Sequence, residues 1–233
     1  MQPKILIIEN APKRADGFDY FLEKSSANYQ IARVYQQNPL PPVNELDAII
    51  VGGGPMSVFE WDKPENSFLR NVSEFVKDAI ERDIPVLGVC LGHQLLAQTL
   101  GGKVEVAKNP EYGWHEVEFS TTNDPLFNGM EKVSCFFQYH GDEVTILPEK
   151  AVVLAHSTAC RYQAFRIDGK NVWGIQFHPE IMPNLAENIL VSRRDILNSK
   201  GVDVDSMIKK GYQVFGTQNY QLFRNFVKFI AAY

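Results

Sequence analysis

Apolar runs of strand length alternate with segments of helical period over the first hundred residues. The runs are KILII (4–8), QIARVY (30–35), DAIIVGG (47–53) and PVLGV (85–89), and amphipathic stretches lie near 64–82 and 91–100. This rhythm predicts βαβ units on a parallel sheet. IIV and PVLGV are apolar without alternation, as suits central strands covered on both faces. Beyond Gly101 and Gly102 the strand candidates crowd together: VEVA (104–107), HEVEFS (115–120), VSCFFQ (133–138), AVVLAHS (151–157), QAFRI (163–167) and VWGIQF (172–177). They predict an antiparallel or mixed extension of the same sheet. From about 184 to 231 the pattern is helical again, with breaks expected at Gly201 and between Gly211 and Thr217. The expected fold is α/β, an open and mostly parallel central sheet with helices on both faces and an antiparallel extension. No repeat, low-complexity stretch or linker divides it, so residues 1–233 are expected to form one domain with 184–233 packed on it as a helical segment.

Composition narrows the function classes. With 233 residues, 45% hydrophobic and 22% charged, the chain can bury a sizeable core. Its 28 acids and 23 bases are mixed along the chain, giving a net charge of -5 without a basic stripe, so nucleic acid is not an expected partner. The apolar run near the start reaches an acid after four residues, too short for a membrane span, and a cytoplasmic location is expected. Three cysteines without a C-x-x-C pair argue against a disulfide framework and a structural zinc site, and no metal or cofactor is expected.

The segment PVLGVCLGHQLLAQTLGG (85–102) carries the sharpest chemical signal. A strand enters, Gly88-x-Cys90-x-Gly92 sits at the turn and a helix follows: a nucleophile elbow with cysteine in place of serine. The glycines remove Cβ atoms that would collide in so tight a turn. Cys90 then stands at a helix N-terminus, which favours thiolate, and the Leu91 amide can face an oxyanion. The alternative is a buried small hydrophobe ending a core strand, and the paired glycines weigh against it. A thiolate needs an oriented base, and VWGIQFHPE (172–180) offers one, because Glu180 two residues beyond His178 can reach its far nitrogen in an extended segment. Spacing alone equally fits a surface turn there. VGGGPMS (51–57) offers main-chain N–H groups, most directly that of Gly54, for the other half of an oxyanion hole, or else a plain βα turn. His93 shares a helix face with Cys90 and competes for the base role, but no local residue orients it; His115 and His156 lack a motif.

Together GGGPMSV (52–58), VLGVCLGHQLLA (86–97), GGKV (101–104), YHGDEV (139–144), QAF (163–165) and GIQFHPE (174–180) resemble the class I glutamine amidotransferases, and most closely the stand-alone proteins related to the amidotransferase part of GMP synthase. The resemblance implies the flavodoxin-like fold of that family. It implies that Cys90 is the nucleophile, His178 the base and acid, and Glu180 its orienting residue. It also implies oxyanion amides at Gly54 and Leu91, and glutamine contacts from Gly53, Gln94 and the backbone at Tyr139, His140, Gly141 and Asp142. Tyr139 departs from the Ser or Asn that relatives often carry there. No G-x-x-x-x-G-K-[ST] loop and no Ser-Gly-Gly-x-Asp-Ser run occurs, so a separate synthase subunit is expected to take the ammonia. Two other readings use the same features: an independent γ-glutamyl peptide or amide hydrolase, and an inactive regulatory module.

Overall fold

The computed structural model describes residues 2–12 and 17–233. Nine strands form one sheet in the order β2-β1-β3-β4-β9-β8-β7-β5-β6. The parallel half comprises β1 (Lys4–Glu9), β2 (Asn28–Arg33), β3 (Ala48–Val51), β4 (Val86–Val89) and β9 (Val172–Ile175). The antiparallel half comprises β5 (Lys103–Phe119), β6 (Val133–Ile146), β7 (Ala151–His156) and β8 (Ala164–Ile167). The expected α/β architecture is present.

Pleating divides the apolar runs between two cores. Ile5 and Ile7 face one side with Ile50, Leu87 and Val89, where α1 (Phe18–Lys24) and α7 (Thr217–Ala232) cover them through Phe18, Phe21, Phe223 and Phe226. Leu6 and Ile8 face the other with Ile49, Val51 and Val86, beneath α2 (Phe68–Glu81) and α3 (Leu91–Thr99). A third cluster sits over β5 and β6. There Trp114 and Phe137 pack against α4 (Pro183–Ser192), α5 (Arg194–Ser199) and α6 (Val204–Val214).

Three details depart from expectation. VEVA and HEVEFS belong to one 17-residue strand, β5, whose pairing with β6 shifts register between Val106 and Glu111. The bulge absorbs the polar KNPE stretch that looks like a loop in sequence. Gly211 does not end a helix; it lies inside α6, buried, where a Cβ would fall 2.4 Å from Trp114 Nε1. The break expected between Gly211 and Thr217 falls at Phe215 and Gly216. Finally, β9 stops at Ile175, two residues before the expected end, and His178 re-pairs with β6 as a lone bridge in which its N–H donates to the Phe137 carbonyl at 2.9 Å. Pro179 and Glu180 then turn rather than prolong a strand.

Candidate active site

Cys90 caps α3 with φ 53° and ψ −103°, a left-handed conformation rare outside glycine. Packing forces it. A Cβ at Gly92 would lie 2.0 Å from the Val51 carbonyl oxygen and one at Gly88 2.5 Å from the Gly92 carbonyl oxygen, so strand and helix approach only as glycines. The Cys90 N–H donates to the Ile175 carbonyl at 2.8 Å, tying the elbow to β9 and so to the HPE segment. Cys135 and Cys160 are differently placed: burial pushes their thiols up to about 11 and about 12, which makes them poor nucleophiles.

His178 stands between Cys90 and Glu180. Its Nδ1 lies 2.6 Å from Glu180 Oε1, and its ring stands close enough to the Cys90 side chain for the two to interact. Burial alone would lower the His178 pKa, but the charges of Glu180 and Cys90 and the hydrogen bonds to both outweigh it and lift the value to about 10. Glu180 is 2% exposed, and its second oxygen has no partner among the described residues, so its interaction is concentrated on His178. Asn219, in the first turn of α7, donates to the Pro179 carbonyl at 2.9 Å and pins the turn between the two side chains.

Gly53 backs this pair, since a Cβ there would lie 3.1 Å from His178 Cε1 and 3.7 Å from Cys90 Cβ. Gly54 abuts Leu91: a Cβ would come within 2.6 Å of Leu91 Cδ2. Leu91 is the first residue of α3, so its N–H has no acceptor within the helix. A cavity of about 450 Å³ opens in front of Cys90 and His178, walled by Gly54, Gln94, Tyr139, His140, Gly141 and Asp142. Gln94 Nε2 reaches the Asp142 carbonyl at 3.0 Å and Gln176 Oε1 at 3.1 Å, which leaves its carbonyl oxygen for a ligand. The Asp142 carboxyl takes the Ser57 hydroxyl and is raised by burial. His93 lines no part of the cavity; it is buried against Phe165, and burial lowers its pKa to about 3.

Sequence reasoning missed the opposite wall. Tyr112, Ile189 and Ser192 of α4, Ile196 and Leu197 of α5, and Arg193 and Lys200 at the two ends of α5 complete the cavity, with Lys200 Nζ donating to the Tyr112 hydroxyl at 2.9 Å. Helical period alone does not reveal which neighbour an exposed helix face meets.

The model of the family "Glutamine amidotransferase class-I" matches residues 17–194. A subunit of the glutamine-hydrolysing GMP synthase of Saccharolobus solfataricus is 39% identical over 146 residues, 61% of this chain and 73% of that protein. The glutamine-hydrolysing GMP synthase of Caldicellulosiruptor saccharolyticus is 36% identical over 152 residues, 65% of this chain, and the chain spans 26% of that protein's length. In fold, the chain is similar to a glutamine amidotransferase from Thermotoga maritima, with a TM-score of 0.88 over 99% of both chains at 24% identity.

Proposed function

Given that this chain belongs to the class-I glutamine amidotransferases, we propose that it hydrolyses the glutamine side-chain amide on Cys90, with His178 as base and acid and Glu180 as its orienting residue. The Cys90 thiolate attacks the carboxamide carbon, and the Gly54 and Leu91 amides receive the oxyanion. The C–N bond breaks as protonated His178 delivers its proton to the departing ammonia. Water then attacks the thioester, His178 takes the water's proton, the C–S bond breaks and glutamate leaves. Gln94 and the 139–142 backbone hold the substrate's distal end.

The observation that carries this reading is the His178 imidazole, bonded to Glu180 and set beside Cys90 where both line one cavity. Ammonia passes to a synthase partner. Supporting this, the relatives include a protein named as one subunit of a glutamine-hydrolysing GMP synthase. The test is hydrolysis of labelled glutamine by wild type and Cys90→Ala, with and without a synthase subunit from the same source. Cys90→Ala should lose activity by about a thousandfold or more; unchanged activity would remove Cys90 from the chemistry. A synthase subunit that neither binds this chain nor aminates its own substrate with the ammonia released would remove the partner.

One observation favours a second reading, an independent γ-glutamyl amide hydrolase. Ten non-hydrogen atoms of glutamine need at most about 300 Å³ even at the roughly 30 Å³ each that liquid water takes. The cavity offers about 450 Å³ and extends to Ile196, Arg193 and Lys200. Comparing kcat/KM for glutamine and γ-glutamyl dipeptides decides between them. We further take residues 1–233 as one domain, supported by the packing of Leu197 and Val204 with Trp114 and of Phe223 with Phe18.

A further inference from the structure

Behind the cavity wall lies a buried polar cluster that the chemistry above does not use. Glu111, 3% exposed, follows the β5 bulge directly and pairs across strands with His140. Its Oε2 lies 3.0 Å from His140 Nε2 and accepts from Gln163 Nε2 at 2.6 Å, while its Oε1 accepts from the Ser157 hydroxyl at 2.9 Å. On its other side the imidazole reaches the Asp142 carbonyl, with Nδ1 at 3.0 Å. A carbonyl only accepts, so Nδ1 carries the proton that fixes this contact. The same oxygen receives Gln94 Nε2, and the Asp142 side chain receives Ser57 from the loop that follows Gly54. One buried carboxyl is thereby linked through a single imidazole to three elements that wall the cavity.

We infer that Glu111 is a positioning residue for the substrate: acting through His140, it fixes the Asp142 carbonyl, and with it Gln94 and the Tyr139–Asp142 wall, in the geometry that receives the distal end of glutamine. Burying an acid and an imidazole within the antiparallel half is costly, and apolar side chains would fill that space at lower cost. The cluster ends at residues that face the cavity. It touches neither Cys90 nor His178, so it bears on binding of the substrate and leaves the reactivity of the nucleophile alone.

The inference rests on the proposed glutamine chemistry, and the test separates the two. Cys90 is labelled with 6-diazo-5-oxo-norleucine, an electrophile shaped like glutamine, and separately with iodoacetamide, which needs no binding site. Glu111→Gln should raise the half-saturating concentration of the glutamine analogue about tenfold, the weight of one hydrogen bond to a charged group. The limiting labelling rate and the iodoacetamide rate should stay within about twofold. His140→Asn should give the same shift, and the double variant no more than either single one, because both break one linkage. Ser157→Ala removes a Glu111 partner from outside the cavity; it should shift the half-saturating concentration in the same direction, and it decides the matter if Glu111→Gln fails to fold. An unchanged half-saturating concentration, or additive single effects, would overturn the role of Glu111 alone. Wild type that reacts at Cys90 with iodoacetamide but never with the analogue would overturn the glutamine reading and this inference together.

Discussion

Two groups at the site hold states that an isolated residue would not choose. Cys90 adopts φ 53° because the strand before it and the helix after it meet at carbonyl-to-Cα distance, an arrangement costing about 1–3 kcal/mol that the surrounding packing maintains. Gly92→Ala should therefore destabilise the protein by about 3 kcal/mol, the upper end for overpacking, since its Cβ would strike the Val51 backbone; a denaturant titration measures it. At His178 the sign follows from the raised value. The folded pKa of about 10 exceeds the ordinary 6.5, so its contribution to stability is full below pH 6.5 and is lost as pH rises through about 10. Activity that needs the imidazolium should fall over the same alkaline range. Glu180→Gln removes a charge that raises the value, so the alkaline limb of the kcat/KM profile should move to lower pH. The placement of Cys90 at a tight turn and of His178 against Glu180 was legible because each rests on a local pattern, two glycines at fixed offsets and an acid two residues on. Glu111 was not legible, since its partner is set by cross-strand register after a bulge.

Among the elements, α6 and α7 carry consequences that their sequences conceal. Gly211 reads as a helix breaker, yet it permits α6 to lie on the Trp114 indole. Gly211→Ala sets two effects against each other. Helix propensity gains about 1 kcal/mol, whereas a Cβ 2.4 Å from Nε1 costs about 1–3 kcal/mol, so the melting temperature should fall. Asn219 offers a second test. Replacing it by Ala leaves the Pro179 carbonyl without this donor, a loss of about 1–3 kcal/mol in a site 1% exposed. Because that carbonyl lies between His178 and Glu180, kcat should fall while alkylation of the folded variant at Cys90 by iodoacetamide persists. Of the parallel half, β3 and β4 were legible from unbroken apolar runs, whereas β9, read with the antiparallel or mixed extension, pairs parallel with β4, because a strand's place in the sheet order is not written in its own residues. The length of β5 was not, because its bulge carries Lys108, Asn109 and Pro110, which read as a loop.

Across the whole molecule, the two halves of the sheet divide the labour. Cys90 and the Gly52–Gly54 loop stand at the carboxyl ends of parallel strands, where open α/β sheets form their clefts, while the 139–142 wall belongs to the antiparallel half. Order of elements made the first half predictable. The far wall from α4 and α5 arises from tertiary docking, which local pattern does not encode. The bridge between His178 and Phe137 joins these halves in an unexpected way: β6 ends the strand order, four places beyond β9, yet it supplies the carbonyl that holds the His178 backbone. The last strand in the order has curled round to clasp His178, so opening of this one bridge would free the imidazole from its place beside Cys90. On gradual warming, the glutamine hydrolysis proposed above should be lost in step with deuterium uptake at the His178 amide.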